Sequence, residues 1–221
     1  MARALLSVAG VLLLASVVAS GASSPSMVER SAIGQPDKAP PAEKGLAKAI
    51  FAGGCFWCME QPYDEIDGVV STTSGYTGGR TRNPTYEDVS AGGTGHAEAV
   101  EIVYDPAKIS YEQLLDVFWR NVDPLDNGGQ FCDRGSEYRT AIFVHNAEQR
   151  AAAEKSKAAL QSSGRLQGKI VTEIVDQGAF YRAEDYHQDY YQTNPLRYKY
   201  YRFSCGRDRR LKALWGEAAT H

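Results

Sequence analysis

The stretch that decides the fold runs from Ala49 to Glu60 and reads AIFAGGCFWCME. Its first part, Ala49–Gly53, is a short apolar run typical of a buried β-strand. The glycine pair that ends in Gly54 permits a tight turn after the strand. We expect a helix to follow over Cys55–Ile66, with Pro62 disturbing its second half. The pattern therefore places Cys55 where a strand passes into a helix.

Strand and helix patterns alternate along the rest of the chain. The strand predicted at Ala97–Tyr104 alternates as a half-buried strand does, and we expect Glu98 on its less apolar face. Ser110 and Gln113 have the spacing of a capping box that opens the next helix. Further strands are predicted at Val69–Gly79, Thr140–His145 and Lys169–Val175, and further helices at 147–163 and Arg209–Glu217.

Two long glycine-rich loops separate these elements, and loops of that length in a compact domain are usually functional. The alternation predicts an α+β fold, a two-layer sandwich with a mixed β-sheet core that is ferredoxin-like and carries long functional loops. The folded domain is expected to span 48–221.

The N-terminal segment predicts export. Residues 1–22 combine a single basic residue, Arg3, with an apolar run and then small residues, which is the order of a cleavable signal peptide. An uncleaved membrane anchor is the alternative. Residues 23–47 are rich in Ser, Pro and charge and are expected to form a flexible linker. The expected location is periplasmic or secreted.

The charge pattern argues against a nucleic-acid partner. The formal net charge is −3, and the local basic cluster Arg207–Arg210 (RDRR) lies beside a helix pattern, where we interpret it as a solvated face. No motif indicates a metal or an organic cofactor, and a monomer is the expected state.

The four cysteines, Cys55, Cys58, Cys132 and Cys205, are open to several interpretations. In an exported chain they could form two structural disulfides. Cys55 and Cys58 form a CxxC, which could be a thioredoxin-like redox pair, half of a zinc site, or a nucleophile with a resolving thiol. A zinc site needs a second ligand pair, which the sequence does not supply. At a helix N-terminus the pKa of Cys55 is expected to fall, favouring the nucleophile.

Several motifs together resemble the successive signatures of type A peptide methionine sulfoxide reductases, over Lys48 to about Trp215. These motifs are GCFWCME (Gly54–Glu60), SGYTGG (Ser74–Gly79), NPTYEDV (Asn83–Val89), GHAEAVEIVYDP (Gly95–Pro106), QFCDRGSEYRTAIF (Gln130–Phe143) and AEDYHQDYY (Ala183–Tyr191). The resemblance implies a two-layer α+β sandwich and the reduction of methionine S-sulfoxide, free or in proteins. It also implies a thioredoxin-like reductant.

The resemblance also implies roles for individual residues. Cys55 would be the nucleophile, and Phe56 and Trp57 would cage the methyl group of the sulfoxide. The groups implied to address the sulfoxide oxygen are Glu98, Tyr86 and Tyr138, and those implied to support the site are Asp133 and Tyr190. A carboxylic acid protonates that oxygen at neutral pH only if burial raises its pKa, and this is the task expected of Glu98.

Attack by Cys55 would leave a sulfenic acid, which condenses with a second thiol. One common form of the family has glycine where Cys58 stands and carries its resolving cysteines in a glycine-rich C-terminal segment, unlike this chain. We therefore expect Cys58 to be the resolver, with Cys205 second, and pairing of Cys205 with Cys132 is the alternative for Cys205. Two other functions stay open: a thiol-disulfide oxidoreductase acting through Cys55 and Cys58, and a binding domain with an aromatic tail and four paired cysteines.

Overall fold

The computed structural model describes residues 45–216. The expected signal peptide and nearly all of the expected linker lie outside the described residues. Within the described part, no helix combines the length and apolar character needed to cross a bilayer. The first strand begins at Ala47, so one residue expected in the linker belongs to the fold.

Eight strands and seven α-helices make up the described part. The strands are β1 (Ala47–Gly53), β2 (Val69–Thr77), β3 (Ala97–Tyr104), β4 (Gly129–Gln130), β5 (Asp133–Arg134), β6 (Thr140–Val144), β7 (Glu173–Asp176) and β8 (Tyr181–Arg182). The helices are α1 (Trp57–Asp64), α2 (Tyr86–Ser90), α3 (Tyr111–Arg120), α4 (Ala147–Ser162), α5 (Tyr190–Thr193), α6 (Pro195–Cys205) and α7 (Arg207–Trp215).

Six strands form one sheet in the order β7-β6-β1-β3-β2-β8, and β4 pairs with β5 separately. All pairs in the main sheet are antiparallel except β6 with β7, so the sheet is mixed. The central order β6-β1-β3-β2, with helices between β1 and β2 and between β3 and β6, is the ferredoxin-like arrangement. The predicted α+β class with a mixed sheet is therefore confirmed.

The main hydrophobic core lies between this sheet and helices α1, α3 and α4. Phe51 of β1 and Ile102 of β3 pack there with Leu115 and Phe118 of α3 and Ala153 of α4, all of them buried. Burial of one large apolar side chain contributes about 1.5–3 kcal/mol, so this layer accounts for most of the stabilisation.

Local capping chemistry sets the helix starts much as the sequence predicts. Ser110 accepts a hydrogen bond from the Gln113 amide while the Gln113 side chain accepts from the Ser110 amide, which completes the predicted capping box of α3. The Asn146 side chain accepts from the Gln149 amide at the start of α4. The last clear strand, predicted at Lys169–Val175, is shorter than expected because β7 starts only at Glu173.

The C-terminal segment contains more helix than the sequence analysis predicts. The tyrosine-rich stretch before Cys205 forms α6, and α7 begins at Arg207 rather than at Arg209. Gly206, with φ of +71°, separates the two helices. A left-handed residue at this position ends one helix and permits the next to leave in a new direction.

The interpretation of Arg207–Arg210 as a solvated face is wrong for Arg207. Its side chain is only 1% exposed and is directed inward from α7, beneath the turn that follows β1. The other three residues of the cluster are exposed, as expected. The helix starts two residues earlier than predicted, and this places Arg207 on the same inward side as Leu211 and Trp215.

A disulfide joins Cys132, between β4 and β5, to Cys205 at the end of α6. The two residues are 73 positions apart in sequence. Closing a loop of that length reduces the conformational entropy of the unfolded chain, which typically stabilises the fold by about 2–4 kcal/mol.

Replacing both Cys132 and Cys205 by serine is therefore expected to lower the free energy of unfolding by about 2–4 kcal/mol. Urea denaturation followed by circular dichroism measures this difference. The unmodified protein should lose the same stability when dithiothreitol is added, and the double variant should not respond to the reductant. Equal stability of the two proteins under oxidising conditions would contradict the assignment.

Candidate active site

Cys55 lies in the turn that connects β1 to α1. Gly54 has φ of +81°, and a Cβ there would lie only 2.6 Å from Cβ of Gln130, so a side chain would not fit. The helix begins at Trp57, two residues later than the predicted start at Cys55. Cys58, in contrast, lies in the first helical turn, and its amide donates to the Cys55 carbonyl at 3.0 Å.

The two thiols of the CxxC are free and buried, and a hydrogen bond between them acts on the pKa of both. Burial raises the pKa of Cys55 above its ordinary value. A hydrogen bond from Cys55 lowers the pKa of Cys58 to about 6, against the effect of burial, and the positive charges of Arg207 and Arg202 act in the same direction. The expectation that the pKa of Cys55 is lowered is therefore wrong, because burial and the neighbouring Cys58 both raise it.

Glu98 faces the turn from β3. The prediction that it lies on the less apolar face is wrong, because it alternates in step with Val100 and Ile102, which belong to the main core. The Phe56 amide donates to Oε2 of Glu98 at 3.1 Å. Burial raises the pKa of Glu98 to about 8, more than this hydrogen bond lowers it. At neutral pH the side chain is accordingly a carboxylic acid that can donate a proton.

A small pocket of about 70 Å³ opens over the Cys55 sulfur. Its lining combines a nucleophile, a buried acid and aromatic rings. The residues that line it are Cys55, Phe56, Trp57, Tyr86, Glu98, Asp133, Tyr138 and Tyr201. All but one of the predicted substrate-binding residues therefore meet at one place. A larger depression of about 400 Å³, beside Cys205, contains no free thiol, and its buried acid, Asp123, is paired with Arg210.

The remaining predicted residue, Tyr190, supports the pocket from behind. Its ring stacks on Trp57 with centroids 3.9 Å apart and planes inclined by 10°. The indole Nε1 of Trp57 donates to Nδ1 of His187 at 3.1 Å. His187, which the sequence analysis did not single out, thus fixes the orientation of one wall of the pocket. Burial lowers its pKa, so it stays neutral and keeps Nδ1 as an acceptor.

Tyr86 and Tyr138 bring two hydroxyl groups into the pocket. Burial, with the nearby Glu98 as a further cause, raises the pKa of Tyr86 to about 12 and raises that of Tyr138 as well. Both hydroxyls therefore keep their protons at neutral pH and can donate hydrogen bonds to an oxygen bound between them.

Asp133 and Tyr201 close the pocket on the side of the disulfide. The Tyr201 hydroxyl donates to Oδ2 of Asp133, and the same oxygen lies 3.9 Å from the Cys205 sulfur. Tyr201 was not predicted as a site residue. Its place on the inward side of α6 could be inferred only after that helix was known.

Cys205, the second candidate for the resolving thiol, is bonded to Cys132. Of the two alternatives left open for this residue, the structure contains the pairing with Cys132, and a resolving role would require that bridge to open first. Because Cys55 and Cys58 are free thiols, a binding domain with four paired cysteines does not describe this chain.

Among the described residues, one group of side chains has metal-ligand geometry: Cys132, Asp133 and Cys205. Two of its three members are the disulfide sulfurs, which are not thiolates and are poor metal ligands.

Comparison with known proteins gives a consistent set of relatives. A sequence model of the family described as "Peptide methionine sulfoxide reductase" matches residues 47–219. The chain is similar to peptide methionine sulfoxide reductase MsrA of Bacillus licheniformis, with 54% identity over 168 residues that cover 76% of this chain and 93% of the relative. It is also similar to the MsrA of Listeria innocua, with 53% identity over 173 residues that cover 78% of this chain and 98% of the relative.

Two solved structures share the fold. One is Mxr1 from Saccharomyces cerevisiae in reduced form, with a TM-score of 0.66, 31% identity, and coverage of 72% of this chain and 91% of that chain. The other is methionine sulfoxide reductase A of Corynebacterium diphtheriae, with a TM-score of 0.64, 34% identity, and coverage of 74% and 83% respectively.

The lowered pKa of Cys58 leads to a direct prediction. When the reduced protein is titrated, the ultraviolet absorbance of one thiolate should appear with a midpoint near pH 6, the pKa of Cys58. Cys58→Ser should remove this transition, because the remaining thiol, Cys55, has a raised pKa. If the transition instead persists in Cys58→Ser and disappears in Cys55→Ser, the thiolate belongs to Cys55 and the assignment to Cys58 is wrong.

Proposed function

Because the chain belongs to the peptide methionine sulfoxide reductase family and reduces methionine sulfoxide, we propose that Cys55 is its nucleophile and Glu98 its proton donor. The single observation that carries this assignment is the buried, protonated Glu98 beside Cys55 in one small pocket. The family alone would not identify these atoms.

The first step is the attack of the Cys55 sulfur on the sulfur of the sulfoxide. Cys55 starts as a thiol hydrogen-bonded to the Cys58 thiolate, so Cys58 takes the proton as the new sulfur–sulfur bond forms. Glu98 gives its proton to the sulfoxide oxygen, which would otherwise be a poor leaving group. Tyr86 and Tyr138 donate hydrogen bonds to the same oxygen.

The protonated oxygen then passes from the substrate sulfur to the Cys55 sulfur, the bond between the two sulfurs breaks, and methionine leaves. Cys55 is oxidised to a sulfenic acid and the substrate sulfur is reduced. Cys58 next gives up its proton and attacks the Cys55 sulfur, forming a disulfide and breaking the sulfur–oxygen bond. The departing hydroxide takes that proton and leaves as water, so the atoms and charges balance.

A disulfide between Cys55 and Cys58 has to be reduced before another turnover. This requires two electrons from an external dithiol, and a thioredoxin-like protein is the proposed reductant. None of these steps uses a metal or an organic cofactor. The chain is proposed to act as a monomer, with no nucleic-acid partner.

The substrate is proposed to be methionine S-sulfoxide, either free or in an oxidised protein. The lining combines an acid, two tyrosines and the Phe56 and Trp57 rings, and a chiral pocket of this kind discriminates between the two epimers. The small volume suits a methyl sulfoxide head, while the rest of the residue stays outside.

The location of the activity is proposed to be outside the cytosol, in the periplasm or beyond. The support is the sequence of residues 1–22, with its basic start, apolar run and small-residue end. The N-terminal mass of the protein purified from its native cell is the test: a start close to residue 23 supports export, and an intact start contradicts cleavage.

The activity itself is tested with each sulfoxide epimer and dithiothreitol as the electron donor. Methionine should form from the S epimer and not from the R epimer. Cys55→Ser should reduce turnover to background while the protein stays folded, because an alcohol does not replace the nucleophilic sulfur. Substantial activity of the serine variant would refute the assignment.

Two further observations accompany this assay. Mass mapping after one turnover without reductant should find the bridge between Cys55 and Cys58, whereas a Cys55–Cys205 bridge would make Cys205 the resolver. A disulfide substrate offered without any sulfoxide should not be turned over. Efficient turnover of that substrate would favour the thiol-disulfide oxidoreductase instead.

The role of Glu98 predicts how activity depends on pH. Activity should fall as pH rises through about 8, because Glu98 then loses the proton that it must donate. Glu98→Gln should lower kcat/KM by about two to four orders of magnitude and abolish this limb of the profile. Glu101→Gln on the same strand is the matched control and should retain both the activity and the limb. An unchanged profile in Glu98→Gln would show that another group is the acid.

A further inference from the structure

Arg207 is a buried cation whose surroundings are unusual. Its Nη2 donates to the carbonyl oxygens of Gly53 at 3.1 Å and Asn121 at 2.7 Å, and lies 3.0 Å from the Met59 sulfur. The ring of Phe131 covers the guanidinium, with the centroid 4.5 Å from Cζ. The groups that Arg207 contacts carry only partial negative charges, and none of them is an anion.

The neighbouring arginines differ from Arg207 in this respect. Arg202 pairs with Asp208, and Arg210 pairs with Asp123. Within 45–216, no carboxylate lies at ion-pair distance from Arg207, and its Nε has no hydrogen-bond partner. A full positive charge is costly to bury without a counter-ion, so an anion is to be expected nearby.

Two of the groups that Arg207 contacts belong to residues beside the CxxC turn. Gly53 precedes the turn that carries Cys55, and Met59 directly follows Cys58. The guanidinium therefore lies beside the CxxC turn and is not part of the lining of the substrate pocket. It touches no reacting atom and can act only through the charge that it places there.

We propose that Arg207 is a positioning residue for the resolving thiol, and that its buried charge is the counter-ion that keeps Cys58 a thiolate. The inference rests on the proposed function, in which Cys58 first accepts a proton and then attacks the sulfenic acid. It also supplies a counter-ion for a buried cation that has no carboxylate at ion-pair distance: the Cys58 sulfur, with Asp133 interacting with the same cation beyond that distance.

Other groups, on the elements packed around Cys58, also affect its pKa. The hydrogen bond from Cys55 is the largest cause of its lowered pKa, Arg202 acts in the same direction as Arg207, and Asp133 opposes both. The charged and titratable groups that interact with Cys58, besides Arg207, are Cys55, Glu98, Asp133, Tyr198, Tyr201 and Arg202. Arg202 already has Asp208 as its own partner.

The disulfide holds this arrangement in place. Cys132 directly follows Phe131, and Cys205 lies two residues before Arg207. The bridge therefore connects the ring that covers the guanidinium to the helix that carries it. The position of the charge therefore depends on this bridge as well as on the hydrogen bond to Gly53 at the end of β1.

The test measures the thiolate directly. In Cys55→Ser, Cys58 is the remaining free thiol, and its thiolate absorbance is titrated against pH. Adding Arg207→Gln, which keeps a donor for the two carbonyls, should raise the midpoint by about one pH unit or more. Arg209→Gln is the matched control, because it removes the same charge from an exposed position of the same helix, and its midpoint should not move.

Arg207→Lys separates charge from shape. A lysine keeps the positive charge and loses the planar fork, so the midpoint should stay close to that of the Cys55→Ser parent. If Arg207→Gln does not fold, this variant still decides, since a folded lysine variant with a midpoint near that of an ordinary cysteine overturns the proposal. An unchanged midpoint in folded Arg207→Gln overturns it as well.

Activity provides a second readout, in the chain that keeps Cys55. With Arg207→Gln the acidic limb of kcat/KM should move to higher pH, so that activity lost near pH 6 is recovered as pH is raised toward 8. A purely structural defect would lower activity equally at all pH values and would contradict the proposal. The thiolate titration needs no turnover, so a failure of the proposed function would not be confused with a failure of this inference.

Discussion

The hydrogen bond from the Phe56 amide to Glu98 connects the turn after β1 with the middle of the sheet. It brings the residue next to Cys55 into contact with an acid carried by β3, across 42 positions of the chain. Register decides whether this contact exists, because a one-residue slip of β3 would turn Glu98 to the opposite face of the sheet. The pairing of Tyr76 with Glu98 in β2 and β3 therefore helps to define the chemistry as well as the fold.

The burial that shapes this contact also sets the protonation of the site. Burial raises the pKa of Glu98 and of Cys55, so both keep their protons at neutral pH. Cys58 is the exception, since it accepts a hydrogen bond from Cys55 and lies within reach of two arginine charges. The site thus combines an acid for the oxygen, in the pocket, with a base for the nucleophile, Cys58, beside it.

Much of this arrangement could be predicted from the sequence, because it depends on neighbours in the chain. The strand, the glycine pair and Cys55 are adjacent, and the capping box of α3 is local. The face of Glu98 was also available from the alternation of its strand, in step with Val100 and Ile102, and was assigned wrongly. The predicted start of α1 is two residues too early, and the lowered pKa belongs to Cys58 because Cys55 donates a hydrogen bond to it and two arginines act on it, which no local pattern shows.

Other features depend on tertiary contacts that no local pattern reveals. His187 reaches Trp57 across 130 positions, and Arg207 reaches Gly53 across 154. A basic cluster is usually solvated, and only the packing of α7 distinguishes Arg207 from its exposed neighbours. The bridge between Cys132 and Cys205 was one of several pairings that the sequence allowed.

The two sides of the pocket are held by different means, and this division follows from the fold. Cys55 and Glu98 are attached to central strands, whose ladders keep them in place. Asp133 lies on a two-residue strand outside the main sheet, and Tyr201 lies on a C-terminal helix. Segments this short are not stable alone, so their geometry depends on side-chain contacts and on the disulfide beside them. The reacting atoms therefore belong to the rigid core, while the opposite wall is positioned by a covalent link in place of sheet pairing.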